Sequence, residues 1–337
     1  MAFFNNSNMS SVIPVTNESG DFLNLDTWSV VFRASYIFLD FLATLTFNTL
    51  TILVTRSVDD FSESTKLLMI TLALSDLGVS PVALLSFICE VKGHWPFPSW
   101  LQYFHYFCLH TLTSISAVIL LCLNVDRFIL VTRPFRHASL ITKRRVGIML
   151  SLTCVGFVLS GLVLCCINKV SFERSTVLSR LERYDAPTAI YISLVSYFIP
   201  LVVVIVCNVR LLMISFSQSR RLRLIGAAPA TGPTTDHNQQ RVSWMVAVRG
   251  KAVFVFSTIT FAFAVSWLLY FIELFLILIH SVNYPVWLQF TSAWVAMSNS
   301  WWNFAIYGLM NRAFRDSVYK ILAKNMQKVQ QFFRHQP

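Results

Sequence analysis

The chain has 337 residues, 55% of them hydrophobic and only 13% charged. A soluble domain carries about 25% charged residues, so this composition argues against a solvated globular surface. The net charge of +11 would suit nucleic acid, but the basic residues sit between long apolar stretches, where anionic lipid headgroups account for them more simply.

Seven stretches reach the roughly 20 apolar residues that a bilayer-crossing helix needs. They are Trp28–Thr55, Leu67–Cys89, Trp100–Val131, Arg145–Asn168, Pro187–Ser215, Ala252–His280 and Val286–Met310. A transmembrane β-barrel would instead show alternating segments of about 10 residues. The expected fold is an all-α membrane bundle of seven helices, with a tail over 1–27, the bundle over 28–310 and a cytoplasmic segment over 311–337. With the N-terminus outside, 21 of the 27 Lys and Arg fall on the inner side and 6 on the outer, the asymmetry that orients membrane proteins.

The first 27 residues carry three glycosylation sequons, at Asn5, Asn8 and Asn17, which fits an exported tail. No basic-then-apolar leader precedes them, so the first helix is expected to act as the export signal. Asp26-Thr27 caps that helix, Asn48 lies in its middle, and Arg33 and Asp40 share one face as an expected polar pair.

The second stretch holds a single mid-bilayer acid, Asp76, in Leu72-Ala73-Leu74-Ser75-Asp76. An isolated carboxylate there must be paired, protonated or bound to a cation. In the third stretch, Leu109, Thr113 and Ser116 fall within about 40° of the Arg127 face, and Gln102 and His105 extend that stripe outward. A polar stripe in an apolar helix faces the bundle interior. His110 lies off it, as a core histidine. The stretch ends in Asp126-Arg127-Phe128, seven residues before Pro134. Ionisable groups at membrane depth are rare and usually functional.

Between the fifth and sixth stretches, the run 226–233 has linker composition. The sixth contains Phe263-Ala264-Val265-Ser266-Trp267, with Tyr270, Phe271 and Leu274 outward on the Trp267 face; Glu273 points about 120° away. The seventh ends in Asn299-Ser300-Trp301-Trp302-Asn303-Phe304-Ala305-Ile306-Tyr307. Beyond it, Phe314, Val318, Ile321, Leu322 and Val329 form an apolar stripe beside Arg315, Lys320, Lys324 and Lys328, the pattern of a helix lying on the inner membrane surface. The seven cysteines have no zinc-site spacing and read as small buried side chains.

Asn48, Asp76, Asp126-Arg127-Phe128, Pro200, Phe263–Trp267 and Asn299–Tyr307 follow one another in the order of the rhodopsin-like (class A) G-protein-coupled receptors, which this chain resembles over about residues 28–325. The resemblance implies a plasma-membrane receptor that transduces an unidentified small-molecule or peptide ligand to a heterotrimeric G protein. Asp126-Arg127-Phe128 stands for the family's Asp-Arg-Tyr, with Arg127 swinging to meet the G protein. Asp76, Ser116, Asn299, Ser300 and Asn303 match a buried sodium pocket, and oxygen ligands suit a hard cation. Trp267 matches the rotating Trp at the pocket floor, and Tyr307 the Tyr that stabilises the active state. His105, Leu109, Thr113, Trp267, Tyr270, Phe271 and Leu274 become candidate ligand contacts.

The departures are specific. Gln102 replaces the outer Cys of the third helix and Lys169–Asp185 has no Cys, so the usual disulfide is absent; a pair among Cys89, Cys108, Cys165 and Cys166 stays open. Leu269 and Phe304 replace helix-bending prolines, the fourth stretch lacks Trp and Pro, and Asn208 replaces a Tyr. Arg249 replaces the acid that holds Arg127 inactive, which predicts appreciable basal activity. Leu109 replaces the Asp of amine receptors, and no Lys in the seventh stretch would serve an opsin. A non-signalling membrane binding or scaffold protein is the alternative. A transporter would show internal repeats around a midplane site, and no enzyme's nucleophile and base are evident.

Overall fold

The computed structural model describes residues 27–58, 61–167, 191, 198–226, 257–259, 261–273, 275–276, 286–310 and 312–334. All of its long elements are helices. The first is Thr27–Ser57, the third Ser99–Thr132, the fourth Lys143–Ile167, the fifth Ile199–Gly226 and the seventh Val286–Met310. The sixth spans Ser257–Glu273. Among the described residues four helical runs are long and apolar enough by length and composition to cross a bilayer: the first, third and fourth helices and the combined run Glu63–Lys92.

The second stretch departs from the expected single helix. It forms Glu63–Leu77 and Ser80–Lys92, with a turn at Gly78-Val79. Pro81 has no N–H to continue the ladder, and Val79 N–H instead donates to Asp76 O at 3.0 Å. The break therefore falls one turn beyond Asp76. The seventh helix has no Pro and runs unbroken.

Ser62 starts the second helix by accepting from Thr65 N–H at 3.2 Å, an N-cap that fixes Thr65 on the first turn. The third helix stops where Pro134 bars the α conformation at Arg133. A short helix, Pro134–Leu140, folds back beneath its end.

The helices close a ring. The first packs on the second and the seventh, the second on the third, and the third on the fourth and fifth. Ser257 bonds the sixth helix to the fifth, and Glu273 bonds it to the seventh. Gly161 lets the third and fourth helices meet, since a Cβ there would strike Thr111 and Phe107. Polarity is arranged for lipid: Ile148, Leu152, Val155, Leu159 and Leu162 of the fourth helix are exposed, while Asn48, Asp76, Ser116 and Asn303 are buried.

The last helix is Arg312–Arg334. Phe314 is fully buried, its ring 5.6 Å from those of Phe304 and Tyr307. Arg315 Nη1 donates to the carbonyls of Gly308 and Leu309 at 3.3 and 2.9 Å, satisfying the end of the seventh helix. The apolar stripe thus divides. Phe314, Val318 and Ile321 pack on the bundle, Leu322 stays exposed, and the side chain of Val329 lies outside the described residues.

Candidate functional site

At the end of the bundle marked by Arg127, the neighbours of Asp126 come from two elements. Thr65 Oγ1 donates to Oδ2 at 3.0 Å, and His137 Nε2 lies 2.8 Å from Oδ1. The capped turn of the second helix places Thr65, and the short helix after Pro134 places His137. Arg127 Nε is 3.8 Å from Asp126 Oδ2, and its guanidinium carbon stands 5.9 Å from the centre of the Phe61 ring. The expected Asp126–Arg127 pair is present, but as the longest contact of that carboxylate. Thr65 and His137 were not legible as partners: both are common residues at ordinary helix starts.

One turn further into the bundle lies a second polar group that the sequence left scattered. Asn208 Nδ2 donates to Asn124 Oδ1 at 2.9 Å, and Ser257 Oγ donates to Asn208 Oδ1 at 2.9 Å. This bridge joins the third, fifth and sixth helices through amide and hydroxyl groups. It stands where a Tyr was expected at Asn208.

Mid-bundle, Asp76 is buried and accepts from Ser116 Oγ at 2.7 Å and Asn303 Nδ2 at 3.2 Å. Ser75 Oγ lies 2.8 Å from Ser116 Oγ. Asn299 and Ser300 are buried on the turn before Asn303, and Ser300 O accepts from Asn48 Nδ2 at 3.0 Å. Asn303 Oδ1 is buried without a partner among the described residues. An orphaned amide oxygen beside a carboxylate and a hydroxyl is the donor set a hard monovalent cation would take. Among the described residues no cluster of His, Cys, Asp and Glu suits a transition metal.

The Arg33–Asp40 pairing is corrected. Seven residues along a helix separate two side chains by roughly 10 Å, too far for direct contact. Arg33 Nε instead meets Glu90 Oε1 of the second helix at 2.7 Å, and Nη1 donates to Ser29. Asp40 Oδ1 accepts from Ser298 Oγ and Trp301 Nε1, both at 2.9 Å.

The candidate ligand contacts divide as well. Trp267, Tyr270 and Phe271 form one aromatic group, with Trp267–Tyr270 and Tyr270–Phe271 centroids 5.6 and 5.5 Å apart. His105 is almost fully buried against Ser86 at 3.0 Å and Trp95, so it ties the third helix to the second rather than lining the Trp267 group. Thr113 Oγ1 bonds back to the carbonyls of Leu109 and His110. Leu109 is half-buried. Glu273 lies on the seam with the seventh helix, where Ser292 Oγ donates to its Oε2. All seven cysteines are free, including the four that could have paired. Leu274, Arg249 and the sequons at Asn5, Asn8 and Asn17 lie outside the described residues.

Residues 47–307 match the family described as 7 transmembrane receptor (rhodopsin family). The chain is 27% identical over 232 residues to the D(1B) dopamine receptor of Xenopus laevis, covering 63% of this chain and 50% of that protein. It is 26% identical over 279 residues to the Tachykinin-like peptides receptor 86C of Drosophila melanogaster, covering 77% and 52%. To the Octopamine receptor beta-2R of the same fly it is 30% identical over 140 residues, covering 40% and 25%. The chain spans about half the length of the first two of these relatives.

Proposed function

The chain belongs to the rhodopsin family of seven-transmembrane receptors, and we propose that it works as a plasma-membrane receptor, with its N-terminus outside, that promotes nucleotide exchange on a heterotrimeric G protein. The observation carrying this reading is Arg127. It is buried at the bundle end, its own Asp126 is already engaged by Thr65 and His137, and its guanidinium faces Phe61. Arg127 thus stands, beside Asp126 and Phe61, at the bundle end where the family's Arg meets the G protein. Ligand binding that favours an outward sixth helix would expose it to the G protein; the energy available is the ligand's differential affinity for the two arrangements.

In this reading Asp76, Ser116 and Asn303 hold a sodium ion, with Asn299 and Ser300 beside them. A bound cation supplies positive charge that makes a buried carboxylate tolerable and favours the closed bundle. The relatives named for dopamine and octopamine suggest an amine, and the one named for tachykinin-like peptides suggests a peptide. Leu109 lacks the acid that amine receptors carry on the third helix.

Replacing Arg127 by Ala tests the proposal. Nucleotide exchange on co-expressed G proteins should fall to background while surface expression is retained; unchanged exchange would overturn it.

A further inference from the structure

Glu273 sits on the sixth helix, six residues beyond Trp267 and away from the Arg127 end. Its side chain is 3% exposed. Ser292 of the seventh helix donates to Oε2, while Oε1 is buried with no hydrogen-bond partner among the described residues. A carboxylate oxygen shut away from water without a donor is costly, and a buried carboxylate that keeps its charge is paired with a cation or held by donors. The buried cations among the described residues are committed elsewhere. Arg33 is bound to Glu90 at 2.7 Å, and Arg127 is at the opposite end. Tyr270 stands one turn below Glu273 on the same helix, in edge contact with Trp267. An acid above an aromatic group presents both elements that recognise an organic ammonium: a charged acceptor and a ring face.

We infer that Glu273 is the anchor for a protonated amine carried by this receptor's ligand, replacing on the sixth helix the acid that Leu109 withholds on the third. The inference rests on the receptor reading above. The ammonium N–H donates to Oε1, and Ser292 holds the other oxygen so that the carboxylate faces one way. The apolar body of the ligand lies toward Tyr270, whose position on the helix falls between the faces of Glu273 and Trp267. The ammonium group can come from a small aryl-alkyl amine or from the free amino group of a peptide, and the chemistry at Glu273 is the same for both.

The full-length receptor, purified into lipid nanodiscs, is heated with 2-phenylethylamine, with N-acetyl-2-phenylethylamine, or with the peptide Phe-Phe-Gly-amide bearing a free or an acetylated N-terminus. A concentration-dependent rise in Tm with either free amine, absent with its acetylated partner, supports the inference and identifies the source. In Glu273→Gln the apparent affinity should fall roughly tenfold or more, the scale of losing a charge-assisted hydrogen bond. Glu273→Asp, which keeps the charge, should retain the amine preference. Equal shifts from free and acetylated compounds, no shift from any, or an unchanged response in Glu273→Gln would overturn it. If Glu273→Gln does not fold, the wild-type comparison of free and acetylated compounds decides alone. Basal nucleotide exchange and its loss in Arg127→Ala are read separately, so failure of the amine site leaves the receptor reading standing.

Discussion

Asp76 illustrates what a single residue decides in this bundle. Its carboxylate has two donors, from Ser116 and Asn303, and Asn303 turns a partnerless amide oxygen into the same space. Asp76→Asn removes the charge while keeping the size. Basal exchange in wild type should fall as sodium chloride replaces N-methylglucamine chloride at constant ionic strength. In Asp76→Asn that sodium response should vanish, and an intact response would count against the cation site. The residue itself was legible, because a lone acid in an apolar run must be satisfied somehow. Its partners were legible only through their order along the chain. Asp126 is the converse case: Arg127 is its neighbour in the sequence, yet Thr65 and His137 lie closer to its carboxylate.

Helices, rather than single side chains, carry the restraint on the sixth helix. The acid expected on it is Arg249, yet the helix is still tied inward by the Asn124–Asn208–Ser257 bridge. Each neutral hydrogen bond of this kind contributes about 1 kcal/mol, which corresponds to about a fivefold shift in a two-state balance. Asn208→Leu preserves the bulk and breaks both bonds, of which only the one from Ser257 reaches the sixth helix. Ligand-free exchange should rise about fivefold, and exchange at or below the wild-type level would show that the bridge does not restrain the helix. This bridge was not readable in advance. Asn208 registered only as a missing Tyr, and neither Asn124 nor Ser257 stands out among the other polar residues of its helix. The interrupted second helix had a visible cause in Gly78 and Pro81, but a continuous apolar run masked it. The Arg33–Asp40 expectation failed because sharing a face is not sharing a height.

Across the whole molecule, the proposed receptor function predicts a basal activity set by the balance between the replaced acid at Arg249 and the polar bridge that remains. Arg249→Glu adds an acid at the position where the family's own restraint stands. Measured across a panel of G proteins, ligand-free exchange should drop in that variant, and no change in any member would exclude Arg249 as a source of basal activity. The last helix fixes the end of the seventh through Phe314 and Arg315, coupling itself to Tyr307.

The sequence by itself determined the membrane class, the seven-stretch order and the positions of Asp76, Arg127 and Trp267. Lipid leaves the backbone little alternative to helices, and it makes every interior polar residue conspicuous. Only the tertiary structure decided which polar groups meet. Partners such as Arg33 and Glu90, 57 residues apart, or Asp40 and Ser298, 258 apart, depend on how neighbouring helices are rotated and staggered. Helical periodicity gives a side chain its direction on its own helix, and the packing of the ring gives it a neighbour.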